Sequence, residues 1–472
     1  MKFKIEALSQ NQIAEVSDKV ETLLWEQGIV VKDTEVCKFF SEKGAAVSGS
    51  TIRLPKELLR DAVKSVPKEF TYHARNPEKT VKLGIGNPVV INPNSGMNFV
   101  QDVDGTRRLA NIEDLVKFLK LSHSSAVTGV ANAGIMYPTE GIATEDAKFL
   151  QMIYALTYSD KPFFSQGLDE SYGTAAIELA RIATGYSDRA VCMSVVNSLA
   201  PMAWDDKMLG MIRVFAKENQ PLNISNSSAI GATAPISLMA SLITACAEGL
   251  FGIAYSQLLR PGTPVVFGCF AGVMDMRSMR MSYGAPEFSM LCAAASQMAS
   301  FYGMPFRGGG ALTSAQVTNA QSGMESAMGM MIALNCDVHY MHQSIGTLDS
   351  ILAGSLTKFV MDEEIVARIR HMQKGMGKIE PDVLEVIEEG SEDRSFLGHE
   401  TTAMNFRENI FEPFTSENCT YDEWRGKNKT IEDIAAKVVN KRLDEYIEPD
   451  IGASVKKEMR IYAEKMGANL PK

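Results

Sequence analysis

MPFRGGGALTSAQVTNAQSGMESAMGMMIALNCDVHYMHQSIGTLDSILAGSLTKFVMDEE, residues 304–364, is the stretch from which the rest of the chain is read. Met304-Pro305-Phe306 is a short apolar lead that ends in Arg307. Gly308-Gly309-Gly310 follows, a backbone free to turn tightly or to approach a ligand. A Met- and Ala-rich helical run comes next, and residues 336–341 then read as a buried strand ending in polar His342, Gln343 and Ser344. This is a strand–helix–strand unit with polar groups where the strands end. In barrels of alternating strands and helices, that end carries the chemistry.

Working outward, the same rhythm repeats. Candidate strands lie at residues 128–136, 162–167, 190–196, 221–225, 263–270, 304–307 and 336–341, with helical segments at 144–158, 172–184, 205–218, 237–259, 287–302 and 319–334. The strands are continuous apolar runs, as expected when both faces of a sheet are buried. Seven repeats favour an α/β fold, a TIM (β/α)8 barrel, over an open sheet, with the eighth strand expected at residues 389–397. Residues 1–122 read as an N-terminal layer of helices and β-hairpins packed on the barrel. In it Pro55 opens a helix at its first turn, and Asn-Ser-Gly and Asp-Gly turns punctuate residues 88–109. The barrel is expected over residues 123–400 and a C-terminal helical extension over residues 401–472.

The chain has 472 residues, 45% hydrophobic and 22% charged, with a net charge of −10. That profile suits a globular protein and disfavours nucleic acid or an anionic membrane surface as partner. The opening MKFKIEALSQNQIAEV lacks the apolar core of a secretory signal, and the most membrane-like stretch, residues 236–259, carries Glu248 and Gln257 and reads as a buried helix. Seven cysteines without a C-x-x-C pair read as reduced core residues, so the expected location is the cytoplasm.

The predicted strand ends supply Asn132, Gln166, Asn197, Asn226, Asp275, Arg307 and His342, a set that suits a ligand mouth. Arg277, Arg280 and Arg307 could anchor a carboxylate through the guanidinium fork, or could pair internally with Asp275 or Glu287. Phe99, Tyr137, Phe164, Phe270, Tyr283, Phe306 and Tyr340 could cage a quaternary ammonium, each contact worth roughly 0.5–2 kcal/mol, or could simply fill the core. Gly308-Gly309-Gly310 lacks the following Lys-Ser/Thr of a nucleotide loop. His399-Glu400-Thr401-Thr402-Ala403 lacks the second His of a zinc helix, and no metal is expected.

Several separated motifs carry a resemblance. RGGGALTSAQVTNAQSGMESA at 307–327, SLTKFVMDEEI at 355–365, Asp275-Met276-Arg277, Gly284-Ala285-Pro286-Glu287 and Ser395-Phe396-Leu397-Gly398-His399 resemble the trimethylamine methyltransferase family, over nearly the whole chain. Those enzymes move a methyl group from an amine to the cobalt of a corrinoid protein. The resemblance implies that the cobalamin is carried by a separate corrinoid protein, with no cofactor bound by this chain. Asp337-Val338-His339 looks like the start of a cobalamin motif, but His342 stands where that motif has Gly. Thr401 stands where the family commonly has His, which weakens any role for that loop.

Trimethylamine enzymes of the family carry pyrrolysine, whereas every position here is one of the ordinary twenty residues. The chain therefore resembles the pyrrolysine-free branch, which acts on betaines. A quaternary ammonium leaves as a neutral amine and needs no general acid, so the enzyme has to bind, desolvate and aim it. On this reading Arg307, with Arg277, takes the carboxylate, and Phe99, Tyr137, Phe164, Phe270 and Tyr283 surround the cation. His342 and Gln343 line the mouth. Glu287 orients the cation or caps its helix, and Gln316 is a second candidate for catalysis. Proline betaine, glycine betaine and carnitine all fit, with the flat apolar mouth favouring proline betaine. Self-association into a homo-oligomer is expected from the family. A barrel lyase or aldolase would want a Schiff-base lysine or a metal at strand ends. A non-catalytic betaine-binding or corrinoid-docking barrel stays open.

Overall fold

The computed structural model describes residues 4–392 and 394–470. At its centre are eight parallel strands: β1 (Val90–Ile91), β2 (Ala131–Asn132), β3 (Phe163–Phe164), β4 (Cys192–Asn197), β5 (Leu222–Ile230), β6 (Val265–Asp275), β7 (Phe306–Gly308) and β8 (Tyr340–Met341). They neighbour one another in chain order, and β8 pairs with β1 through Tyr340 opposite Val90. A parallel bridge between Ile91 and Thr128, with Gly129 N–H donating to Ile91 O at 2.8 Å, closes the ring at β2. The fold is a (β/α)8 barrel.

One strand is not where the rhythm placed it. The described residues among 389–397 form no strand: the helix Val383–Glu392 covers their first part and turns follow, while Asp393 lies outside the described residues. The missing strand is β1, taken from the segment read as hairpins within residues 1–122. Two residues of ladder between Pro88 and Asn92 are too short to show a period, and the turn residues around them dominated the reading. β5 and β6 run past the other strands, paired as far as Ile230 opposite Val273, and β6 continues to Asp275 and returns antiparallel as Arg280–Ser282.

Register fixes which side chains enter the barrel. Parallel neighbours share a face, so Phe164 beside Met193, Val195 beside Asn223, Asn223 beside Val266, Gly268 beside Arg307, and Arg307 beside Tyr340 all belong to the inner set. The lower half is plugged. The hairpin Glu69–Tyr72/Val81–Gly84 inserts Tyr72 and Leu83 against Val90, Val130, Phe164, Met193, Val266 and Tyr340. The Tyr72 hydroxyl donates to Phe163 O and accepts from Met193 N–H at 3.3 Å, so the plug is pinned as well as packed.

Four helices position the upper half: α1 (Leu238–Leu259), α2 (Pro286–Tyr302), α3 (Ala320–Asn335) and α4 (Leu356–Lys374). By length and composition α1 could cross a membrane, yet it packs on β5 and β6 inside and on the helices Gln10–Glu26 and Lys56–Lys64 outside. The chain past α4 is helical, and Ile431–Asp444 packs on α4 with Arg442 paired to Glu363. A small sheet made of Phe99–Gln101, Arg107–Leu109, Thr347–Leu348 and Ala353–Gly354 follows β1 and β8 at the mouth. Its turn, Asp349-Ser350-Ile351, has positive φ at all three residues (51°, 50° and 73°), a conformation L side chains rarely adopt. Buried Asp349 holds it by pairing with Arg107 at 2.7 Å and with Arg280.

Candidate active site

Above the plug the inner face turns polar. Asn92, Gln166, Asn223, Arg307 and His342 are buried, and each leaves at least one side-chain nitrogen or oxygen without a hydrogen-bond partner. Most buried polar groups in folded proteins are satisfied. These orphans share the inner face of the barrel, which makes it the candidate site. Val195 and Asn197 are only partly buried although they sit mid-barrel, which fits an open lumen on the β4 side.

Arg307 is the dominant group. It leaves β7 beside Gly268, whose missing side chain makes room on the neighbouring strand. The residue is 2% exposed. Its Nη2 donates to Gln343 Oε1 at 3.0 Å, its guanidinium lies 4.1 Å from the centre of the Phe270 ring, and its Nε has no partner. Among the described residues no carboxylate forms an ion pair with it, and burial pushes its pKa down to about 10, so it is still a cation at neutral pH. Gln343 adopts φ 60° and donates from Nε2 to Ser95 O at 3.3 Å, which aims its oxygen at the arginine.

His342, next inward residue on β8, has both ring nitrogens buried and unpartnered. Burial first, and the Arg307 charge second, hold its pKa well below the usual imidazole value, so it is neutral. Its ring meets the Phe164 ring edge-on at 4.7 Å, which makes Phe164 the floor. Tyr137 donates its hydroxyl to Gln166 Oε1, leaving Gln166 Nε2 free.

The wall opposite is aromatic. Phe270 and Tyr283 stack at 4.7 Å and 28°, and the Phe288 ring stands edge-on to both at 5.2 and 5.6 Å. Leu312 completes the cluster, and Ile351 from the strained turn packs against it. The triple glycine explains itself here. A Cβ on Gly309 would meet Phe288 at 2.8 Å and Leu312 at 2.9 Å, and one on Gly308 would meet Cys292 at 2.8 Å. The run exists so that the shelf can lie against backbone.

The expected site residues separate into two groups. Arg307, Gln343, His342, Phe164, Phe270, Tyr283 and, through Gln166, Tyr137 come together. Arg277 does not: it is exposed on the turn beyond β6, where its N–H donates to Asp275 Oδ1 at 2.7 Å. Gln316 is also exposed, its Nε2 donating to Ser314 O at 3.3 Å. Phe99 lies in the mouth sheet with its ring 3.9 Å from the Arg107 guanidinium, so a protein cation already occupies that face. Glu287 is half-buried in the first turn of α2, one residue before Phe288. His339 accepts from Phe306 N–H through Nδ1 at 3.1 Å in the barrel wall. Asn92, Asn223 and Phe288 were missed as site residues. The alternation of Asn223 and Ser225 through the apolar run Leu222-Asn223-Ile224-Ser225 was the available signal for one of them.

The profile of the trimethylamine methyltransferase (MTTB) family matches residues 2–471. A glycine betaine methyltransferase of Desulfitobacterium hafniense is 31% identical over 98% of each chain. An L-carnitine:corrinoid methyltransferase of Eubacterium limosum is 29% identical over 95% of each, and a proline betaine:corrinoid methyltransferase of the same organism 30% identical over 75% of each. Among solved structures, the monomethylamine methyltransferase of Methanosarcina barkeri aligns with a TM-score of 0.53 at 11% identity, covering 100% of this chain and 91% of that one. The fold and the family match together define a barrel methyltransferase. The chain belongs to the trimethylamine methyltransferase family.

Proposed function

We propose that this methyltransferase takes one methyl group from a betaine and passes it to the Co(I) centre of a separate corrinoid protein in the cytoplasm. The observation that carries the reading is Arg307, a buried guanidinium with no carboxylate partner and a free Nε, next to a neutral His342 with two free nitrogens. That pair suits a ligand carboxylate: the guanidinium supplies charge and fork, the imidazole a neutral donor. Tyr283, backed by Phe270 whose other side carries Arg307, and Phe164 then offer ring faces and edges to the quaternary ammonium.

The chain's task is positional. Anchoring the carboxylate turns an N-methyl toward the mouth, and the apolar shelf strips water from the cation. The methyl carbon is attacked in line, the C–N bond breaks, and its electron pair stays on nitrogen. A tertiary amine leaves uncharged, so no proton donor is needed. The names of the three relatives above span glycine betaine, carnitine and proline betaine, and the flat shelf favours proline betaine.

A Schiff-base aldolase is the less favoured reading. Lys161 precedes β3, at the end of the barrel opposite the lumen, and donates at 2.8 Å to each of Ser122 O, Ser125 O and Thr128 O. Lys358 is paired with Asp362 at 2.6 Å. The test is mass spectrometry of the amine after incubation with reduced corrinoid protein. Loss of one methyl from a betaine supports the reading, and an unchanged betaine from all three candidates sinks it.

A further inference from the structure

Arg307 has a counterpart of opposite sign. Glu248 sits near the middle of α1 and is 1% exposed. Ser198 Oγ donates to its Oε2, Met202 N–H donates to its Oε1 at 2.8 Å, and the Asn226 side chain supplies a further hydrogen bond. Burial raises its pKa above the usual carboxylate value, and the three hydrogen bonds it accepts act the other way and favour the anion. No Lys, Arg or His takes part in its electrostatics among the described residues.

The two charges stand two strands apart along the barrel wall. Glu248 lies behind the upper ends of β4 and β5, held by Ser198 just past β4 and by Asn226 on β5. Arg307 is on β7, and β6 runs between. Asn226 Oδ1 accepts from Phe270 N–H at 3.4 Å, and the Phe270 ring underlies Arg307, so the chain of contacts is continuous. Cys269 on β6 feels both charges. Of the other carboxylates near the mouth, Asp349 is engaged with Arg107 and Arg280, Asp362 with Lys358, and Glu325 with Thr313 and Ser314, while Glu287 stands half-buried in the first turn of α2. An unpaired buried charge is costly, and two of opposite sign two strands apart beside one lumen match a ligand that carries both.

We propose that Glu248 sets the charge specificity of the site: its anion, on the β4–β5 side of the lumen, complements the ligand's ammonium, while Arg307 on the β7 side takes the carboxylate. The cavity thereby selects a zwitterion over an anion of the same shape. Glu248 acts through space and through Asn226, and does not touch the ligand. The inference rests on the betaine reading above and goes beyond it by assigning the cation-sensing charge to a residue outside the lumen.

The test uses glycine betaine and its carbon isostere 3,3-dimethylbutanoate, which replaces the charged nitrogen by carbon and keeps the carboxylate and shape. Affinities for both are measured by calorimetry on the full chain, wild type and Glu248→Gln. Two strand spacings, about 8–10 Å, separate β5 from β7, so an ammonium held beside the Arg307-bound carboxylate lies at about that distance or less from Glu248. At about 8 Å and an effective dielectric constant of about 20, one unit charge is worth about thirtyfold in affinity. Glu248→Gln should therefore weaken glycine betaine by about that factor and leave the isostere unchanged or tighter. Glu248→Asp, which keeps the charge, should restore most of the preference. The ratio of two affinities on one sample is insensitive to any fraction that fails to fold. Equal weakening of both ligands, or an unchanged ratio, would overturn the charge role and leave the betaine site standing. If the wild type binds neither ligand, the betaine reading itself fails and this inference with it.

Discussion

Replacing Arg307 by alanine separates binding from folding in a way the structure allows to be worked out. The side chain makes one hydrogen bond, to Gln343 at 3.0 Å, and one ring contact, to Phe270 at 4.1 Å. Losing the ring contact costs about 0.5–2 kcal/mol. Removing a buried charge that has no ionic partner offsets this by an amount of the same order or larger. The melting temperature should therefore change little. Binding is different, because a charge-assisted contact to the ligand is worth about 1.5–3 kcal/mol, or roughly ten- to a hundredfold in affinity. Arg307→Lys should recover only part of it, since an ammonium lacks the planar fork and sits poorly on the Phe270 face. The assay is turnover of a betaine beside residual turnover of choline, which keeps the quaternary ammonium and lacks the carboxylate. Betaine turnover should collapse while choline turnover holds. If both fall together, or the variant melts far below wild type, Arg307 is structural and the carboxylate anchor lies elsewhere.

Two further outcomes follow from the same geometry. His342 has a folded pKa well below its unfolded value of 6.5, so the folded state binds fewer protons in acid and stability falls as pH drops below about 6.5. Thermal unfolding from pH 8 to 5 should show that loss, at most about 1.4 kcal/mol per pH unit from this residue. His342→Gln should remove it while His123, depressed to about 4 by burial, contributes equally to both curves; superimposable pH profiles would refute the assignment. Gly309→Ala puts a Cβ 2.8 Å from Phe288, an overpacking that should cost about 1–3 kcal/mol in unfolding experiments and raise the betaine KM. Phe288→Leu in the same chain should restore both, and a neutral Gly309→Ala would mean the shelf is not rigid.

The barrel was legible because seven of its strands, each a continuous apolar run, alternate with helices long enough to show their period. β1 was not, since Val90–Ile91 is a two-residue ladder among prolines and asparagines whose pairing is settled by closure with Thr128 and Tyr340. The place of Arg307 at a strand end could be read because it ends an apolar lead just before glycine. Arg277 was misplaced because a motif position does not tell how far a strand runs, and β6 continues past the mouth into a hairpin that carries it to solvent. Gln316 failed for a similar reason, lying on a loop whose direction only tertiary packing decides. Glu248 was read as a reason against a membrane helix, since its partners Ser198, Met202 and Asn226 lie 22–50 residues away and no local pattern joins them.

The central claim is methyl transfer from a quaternary betaine to a partner's cobalt. Mixing the protein with a corrinoid protein reduced to Co(I), adding glycine betaine, proline betaine, carnitine or trimethylamine, and following the cobalt absorption spectrum tests it directly. The account predicts conversion of the Co(I) spectrum to that of methyl-Co(III) with at least one betaine and none with trimethylamine. An unchanged spectrum with every betaine, or equal conversion with trimethylamine, would contradict it.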